Sequence, residues 1–165
     1  MGLFRHASDG IPALVPIPPI ADLPPAKLQA SGRYLGTYTV PEDDSKPVRV
    51  IGHSLSARSA VRLSLSPEGL DVVRIAGSFR ITIPALRGSR AAEAFGGKPV
   101  ADLLVIRWDH EGRLWETGFR LDPARSVRDA AKAQLGRTRS VIQPDVGAWV
   151  RTISKMTRDS KKGNA

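Results

Sequence analysis

ADLLVIRWDHEGRLWETGFRL, residues 101–121, decides the fold. Leu104, Ile106 and Trp108 alternate with Leu103, Val105 and Arg107, the period of two that marks a strand. Asp109-His110-Glu111-Gly112 then reads as a hairpin turn, with glycine where a positive φ is tolerated. The chain returns as a second strand over 113–121. Trp115, Thr117 and Phe119 lie on one face of it, and Leu114, Glu116 and Gly118 on the other.

The same grammar extends toward the N-terminus. FRITI, 79–83, alternates Phe79, Ile81 and Ile83 with Arg80 and Thr82, and a one-residue slip would expose that apolar face. Residues 70–75 read as a strand bounded by Pro67-Glu68-Gly69 and Ala76-Gly77-Ser78 turns. Residues 60–65 place Val61, Leu63 and Leu65 opposite Arg62 and Ser64. Residues 34–40 form a first strand, stopped by Pro41 and the acidic Glu42-Asp43-Asp44. A weaker strand is expected in RGSRAAEAF, 87–95, before the Gly96-Gly97-Lys98-Pro99 loop. About seven short strands with regular turns predict a mainly β sandwich or barrel.

After Leu121 the period changes to 3.6. Asp122-Pro123 is an N-cap followed by proline at the first helical position, and predicts an alanine-rich helix to about Leu135, stopped by Gly136. A second helix follows Gln143-Pro144-Asp145. Val146, Trp149, Val150, Ile153 and Met156 give it one apolar face with an aromatic anchor, with Arg151, Lys155 and Arg158 toward water.

Composition bounds the function. The chain has 165 residues, 41% hydrophobic but only 5% aromatic, enough for one modest core. It has no cysteine, which removes disulfides, thiolate metal sites and cysteine nucleophiles. No apolar run of membrane-spanning length occurs. The formal charge is +9, of which residues 122–165 carry +6. Such a basic end suits an acidic partner or simply solvated helix faces. Six of 13 prolines crowd into IPALVPIPPIADLPP, 11–25. Proline fixes φ and removes a donor, so an extended tether is expected, lying free or along the domain surface. The segment lacks a PxxP core with a well-placed basic flank. Residues 1–31 are read as a flexible linker, 32–157 as the domain and 158–165 as a disordered basic tail. The first ten residues are no secretory signal, and His6 stands where a myristoylation frame wants Ser or Thr.

The stretches VIGHSLSARSAVRLSLSPEGLDVVR (50–74), IPALRGSR (83–90), LLVIRW (103–108), LWETGFR (114–120) and AWV (148–150) together resemble the small membrane-anchored PH-like (pleckstrin-homology-like) proteins of actinomycete bacteria. Proteins of that family often carry only export, transporter or membrane-protein descriptions. The resemblance implies a PH-like barrel of about seven antiparallel strands closed by the C-terminal helix. It also implies anchoring at the cytoplasmic face of a membrane, through an N-terminal transmembrane helix that this chain lacks. Family members pass quickly from the TGFR strand to the AWV helix, whereas here about 25 residues intervene.

No chemical activity is legible, and no cofactor is implied. Gly52-His53-Ser54-Leu55-Ser56 fails the nucleophile-elbow pattern at its last position. His6, His53 and His110 lack metal-ligand spacing, and Gly96-Gly97-Lys98-Pro99 is no phosphate loop. Isolated aromatics on the sheets do not make a base-stacking surface, so nucleic acid is not the expected partner. Two readings remain. One is a non-enzymatic module for a protein or peptide partner, using a sheet edge or the groove beside the C-terminal helix. The other is direct binding of anionic phospholipid headgroups by the 41–59 loop and the basic C-terminal region. Arg49, His53, Arg58, Arg62, Arg151, Lys155 and Arg158 are the candidate anion-binding residues. Trp149 is expected in the core, and Trp108 and Trp115 either in the core or at a binding rim.

Overall fold

The computed structural model describes residues 11–123 and 143–163. Seven strands form one antiparallel sheet: β1 (Leu28–Thr39), β2 (Ser59–Ser66), β3 (Gly69–Val73), β4 (Phe79–Thr82), β5 (Leu86–Phe95), β6 (Lys98–His110) and β7 (Arg113–Leu121). Their order is β4-β3-β2-β1-β7-β6-β5. A helix, α1 (Val146–Gly163), follows. β1 holds the sheet together: residues 28–34 pair with β2 and residues 32–39 with β7. A register shift between Tyr34 and Gly36 bulges the strand where it passes from one partner to the other. Such bulges increase local twist and bend the sheet around its core. The end strands β4 and β5 do not pair with each other, so hydrogen bonding leaves an open sheet rather than the expected closed barrel.

The inward faces follow the alternation. Val61, Leu63, Leu65, Leu70, Val72, Phe79, Ile81, Leu104, Ile106, Trp108, Trp115 and Phe119 are buried together. α1 seals this core with Trp149 and Ile153, both fully buried, flanked by Val146, Val150 and Met156. Trp108 and Trp115 are core residues, edge to face at 5.1 Å. The run LLVI in β6 is buried on both sides for a separate reason. Its outward Leu103 and Val105 join Leu35 in a second small cluster, packed by Ala92, Phe95 and Val100. Two extra residues on β6 opposite Ala92–Ala94 bend the hairpin tip. Phe95 thereby reaches Gly118, where an added Cβ would sit 2.8 Å from its ring.

From residue 11 onward the segment read as a linker is part of the body; residues 1–10 of it lie outside the described residues. Ile11 is buried in the core, Val15 bridges to Arg80 on β4, and Ile20–Asp22 forms a 3-10 turn. Residues 28–31, placed in the linker on sequence, open β1 because Leu28 and Ala30 continue its inward face. At the other end, α1 continues through Gly163 where a tail was expected from residue 158. Lys161 and Lys162 in its last turn complement the helix dipole. The helix expected over 122–135 lies outside the described residues, except for Asp122 and Pro123, which are not helical. Among the described residues no helix is long and apolar enough to cross a membrane.

Candidate functional site

The 40–58 connection is tied down rather than left open to ligand. Val50 and Leu55 are buried in the core. Arg49 is half-buried; its Nη2 donates to the Ser56 carbonyl at 2.8 Å and its guanidinium stands 5.9 Å from the Tyr38 ring centroid. His53 Nε2 lies 3.1 Å from the Ile11 carbonyl oxygen, so this nitrogen carries the proton and donates. His53 and Ser54 both adopt positive φ, 55° and 57°, an uncommon conformation for residues with side chains.

Arg74 holds that turn in place. It is 5% exposed, and it donates from Nη1 to the Ser54 carbonyl, from Nη2 to the His53 carbonyl and from Nε to the Gly77 carbonyl. Its guanidinium lies 4.4 Å from the Tyr34 ring centroid and 5.5 Å from that of Phe79. Among the described residues no carboxylate pairs with it; the three carbonyls and two ring faces satisfy the charge instead. Burial lowers its pKa, against a smaller opposing influence from Tyr34. Tyr34 is fully buried, and burial pushes its phenol up to about 12 although Thr37, Arg74 and Arg49 act to lower it. The phenol closes a directed chain. Trp108 Nε1 donates to Thr117 Oγ1 at 3.0 Å, Thr117 to Thr37 at 2.8 Å, Thr37 to Tyr34 at 2.7 Å, and Tyr34 to the Leu55 carbonyl at 2.6 Å. Arg74 was not singled out on sequence, because an arginine closing a strand ordinarily reads as solvated.

Beside this loop opens a groove of about 930 Å³. Ile11, Val40, Val48, Val50, Leu114 and Trp115 give it apolar walls. Arg49, Arg87, Arg107 and Arg113 line it against two acids, Glu42 and Asp109. Ile11 belongs to the N-terminal segment, which His53 and His110 both hold; His110 Nε2 donates to the Pro12 carbonyl at 2.9 Å. Arg107 is tethered to Glu116 at 3.1 Å, and Arg90 meets the same carboxylate at 3.3 Å. Arg87 also lines a second, smaller groove of about 180 Å³ between the start of β5 and α1, with Ile83, Pro84, Leu86, Thr157, Ser160 and Lys161. The start of β5, at Arg87, therefore lies where these two depressions meet.

The seven candidate residues separate. Arg49 and His53 are engaged in the loop, and Arg58 is exposed on it. Arg62 is exposed on β2, and Arg151, Lys155 and Arg158 are exposed on α1. Lys27, not singled out on sequence, brings two of these groups together. It lines one shallow depression with Arg62 and another with Arg151 and Lys155. Among the described residues no group of three or more metal-ligating side chains converges.

A family model for bacterial PH domain-like proteins matches residues 11–135. No curated protein matches the chain.

Proposed function

Because the chain belongs to the bacterial PH domain-like family, we propose that it is a non-enzymatic interaction module whose partner is an extended, acidic segment of another protein. The observation that carries this reading is the β5 edge. Ten residues long, it pairs only with β6 among the described residues, and Arg87 near its start lines both the 930 Å³ groove and the groove beside α1. An extended peptide added to such an edge gains main-chain hydrogen bonds, while flanking grooves take alternate side chains. Arg87, Arg107 and Arg113 favour carboxylates along that path, and the apolar walls of the larger groove take a hydrophobic side chain.

The non-enzymatic part rests on how the histidines are used. The Nε2 atoms of His53 and His110 are committed to backbone carbonyls of the N-terminal segment. The resemblance to membrane-anchored PH-like proteins supports placing the module at the cytoplasmic face of a membrane. The headgroup reading of the 41–59 loop is weakened by the engagement of Arg49 and His53.

Display selection of random peptides on the immobilised domain tests the proposal. Acidic sequences with apolar residues at alternate positions are expected to enrich. They should lose at least about tenfold in affinity to an R87E variant, since a charge reversal replaces attraction by repulsion. Failure to enrich, or enriched peptides indifferent to R87E, overturns it.

A further inference from the structure

Residues 11–17 lie on the body as a bound peptide lies on its receptor. Ile11 is buried, Leu14 and Ile17 are half-buried, and Pro12, Ala13, Val15 and Pro16 are exposed. One inward residue in every three is the repeat of a polyproline II helix, not of a strand. Three hydrogen bonds hold the segment, and in each the body donates to a carbonyl. His53 Nε2 donates to Ile11 at 3.1 Å, His110 Nε2 to Pro12 at 2.9 Å, and the Arg80 N–H to Val15 at 2.8 Å. These donors come from the 40–58 connection, the end of β6 and β4, three places far apart in sequence. Among the described residues no N–H of this segment donates to the body. The surface beneath is aromatic. The His110 ring centroid stands 5.1 Å from that of Trp115 and 5.7 Å from that of Trp108, which stacks on Phe79. Ile11 and Trp115 line the same groove. Aromatic-lined clefts are the usual receptors for polyproline II segments.

We infer that this cleft is a binding site for an extended, proline-containing apolar segment of another protein, and that residues 11–17 sit in it as an intramolecular occupant. Selectivity comes from apolar side chains at every third position, matching Ile11, Leu14 and Ile17. The body reads carbonyls only, so a ligand loses nothing by carrying proline, which has no N–H. At exposed positions proline also lowers the cost of ordering the segment without touching the body. The occupant is replaceable because little anchors it. Of the seven residues only Ile11 is buried, and the 3-10 turn Ile20–Asp22 that follows has no buried residue. The cleft uses neither the β5 edge nor Arg87, Arg107 or Arg113, so it stands whether or not the acidic-peptide reading holds.

Fluorescence anisotropy of a labelled synthetic peptide, IPALVPIPPI (residues 11–20), tests it on two full chains, the parent and L14D/I17D. The variant keeps Ile11 and alters only half-buried positions, so it is expected to fold while its own segment leaves the cleft. A segment on a short tether competes at an effective concentration of about 1 mM, so a peptide of about 0.1 mM affinity should bind the parent about tenfold more weakly than the variant. H53A added to L14D/I17D should weaken the peptide about two- to tenfold, for one lost hydrogen bond. Amide exchange locates the bound peptide: Arg80 should lose protection in L14D/I17D and regain it at saturating peptide. Unfolding of L14D/I17D, seen as loss of amide dispersion, would make the segment a fixed part of the core and overturn the inference. So would no binding, equal binding by both chains, equal binding of a peptide with aspartate in place of Leu14 and Ile17, or an Arg80 amide that stays unprotected. A parent dimer with exchanged N-terminal segments would make a second copy the occupant and overturn the assignment to a separate protein.

Discussion

Replacing Tyr34 by phenylalanine removes one oxygen from the middle of the buried hydrogen-bond chain. The Leu55 carbonyl then loses its donor at 2.6 Å and Thr37 its acceptor at 2.7 Å. A buried group left unpaired costs about 1–3 kcal/mol, so Y34F should be less stable by that amount at neutral pH. The pH dependence makes the test sharper. The phenol titrates near 12 in the fold, against 10.0 for an ordinary tyrosine, with burial the main cause. A group whose folded pKa is raised contributes stability that is complete below the unfolded pKa and lost as pH rises through the folded one. Two units correspond to about 3 kcal/mol, lost between roughly pH 10 and 12, with about half gone near pH 11. Y34F lacks this loss. Urea denaturation of both proteins at a series of pH values should therefore show the parent's advantage shrinking from pH 10 upward and disappearing by pH 12. Absorbance titration should show one of the two tyrosines ionising late, and Y34F should lose that transition. Parallel stability curves across pH 9–12, or loss of an early transition instead, would refute the buried network.

Arg74→Met keeps the stem but removes the donors to the His53, Ser54 and Gly77 carbonyls. We expect about 3 kcal/mol or more of destabilisation in urea, with proteolysis appearing first near residues 50–58. Arg80 holds the fully buried Asp71 in a bidentate pair at 2.6 and 3.0 Å. Arg80→Met alone should cost about 3–5 kcal/mol, and adding Asp71→Asn should recover part of that in a double-mutant cycle; simple additivity would contradict the pairing. Gly118→Val drives a side chain into the Phe95 ring, so a loss of about 1–3 kcal/mol is expected. Exchange protection should fall at the β5–β6 tip and leave β2–β3 unchanged.

The strands and α1 were legible because each has one apolar face at a fixed period. Val61, Leu63 and Leu65 could only be a half-buried strand, and Val146, Trp149, Val150, Ile153 and Met156 only a helix face. The double-faced run at 103–106 carried a signal of the second cluster, but nothing local shows that Phe95 folds over Gly118. Prolines disclosed the extended backbone of 11–25 but not its docking, which depends on His53, His110 and Arg80, all distant in sequence. Site residues were harder to read. Charge type alone does not distinguish an arginine free for ligand from one spent on carbonyls. Arg49 was therefore singled out, and Arg74, which does more to hold the same loop, was not. Lys27 stood inside a segment read as linker.

The central claim is that the β5 edge accepts an extended acidic peptide. Amide hydrogen exchange of the domain, with and without a display-selected peptide, tests it most directly. The account predicts added protection within Leu86–Phe95, together with slowed exchange at Arg113 and Leu114 in the adjoining groove, and no change in β4. Protection confined to β4, or a bound peptide that leaves the β5 amides exchanging at their free rates, would contradict it.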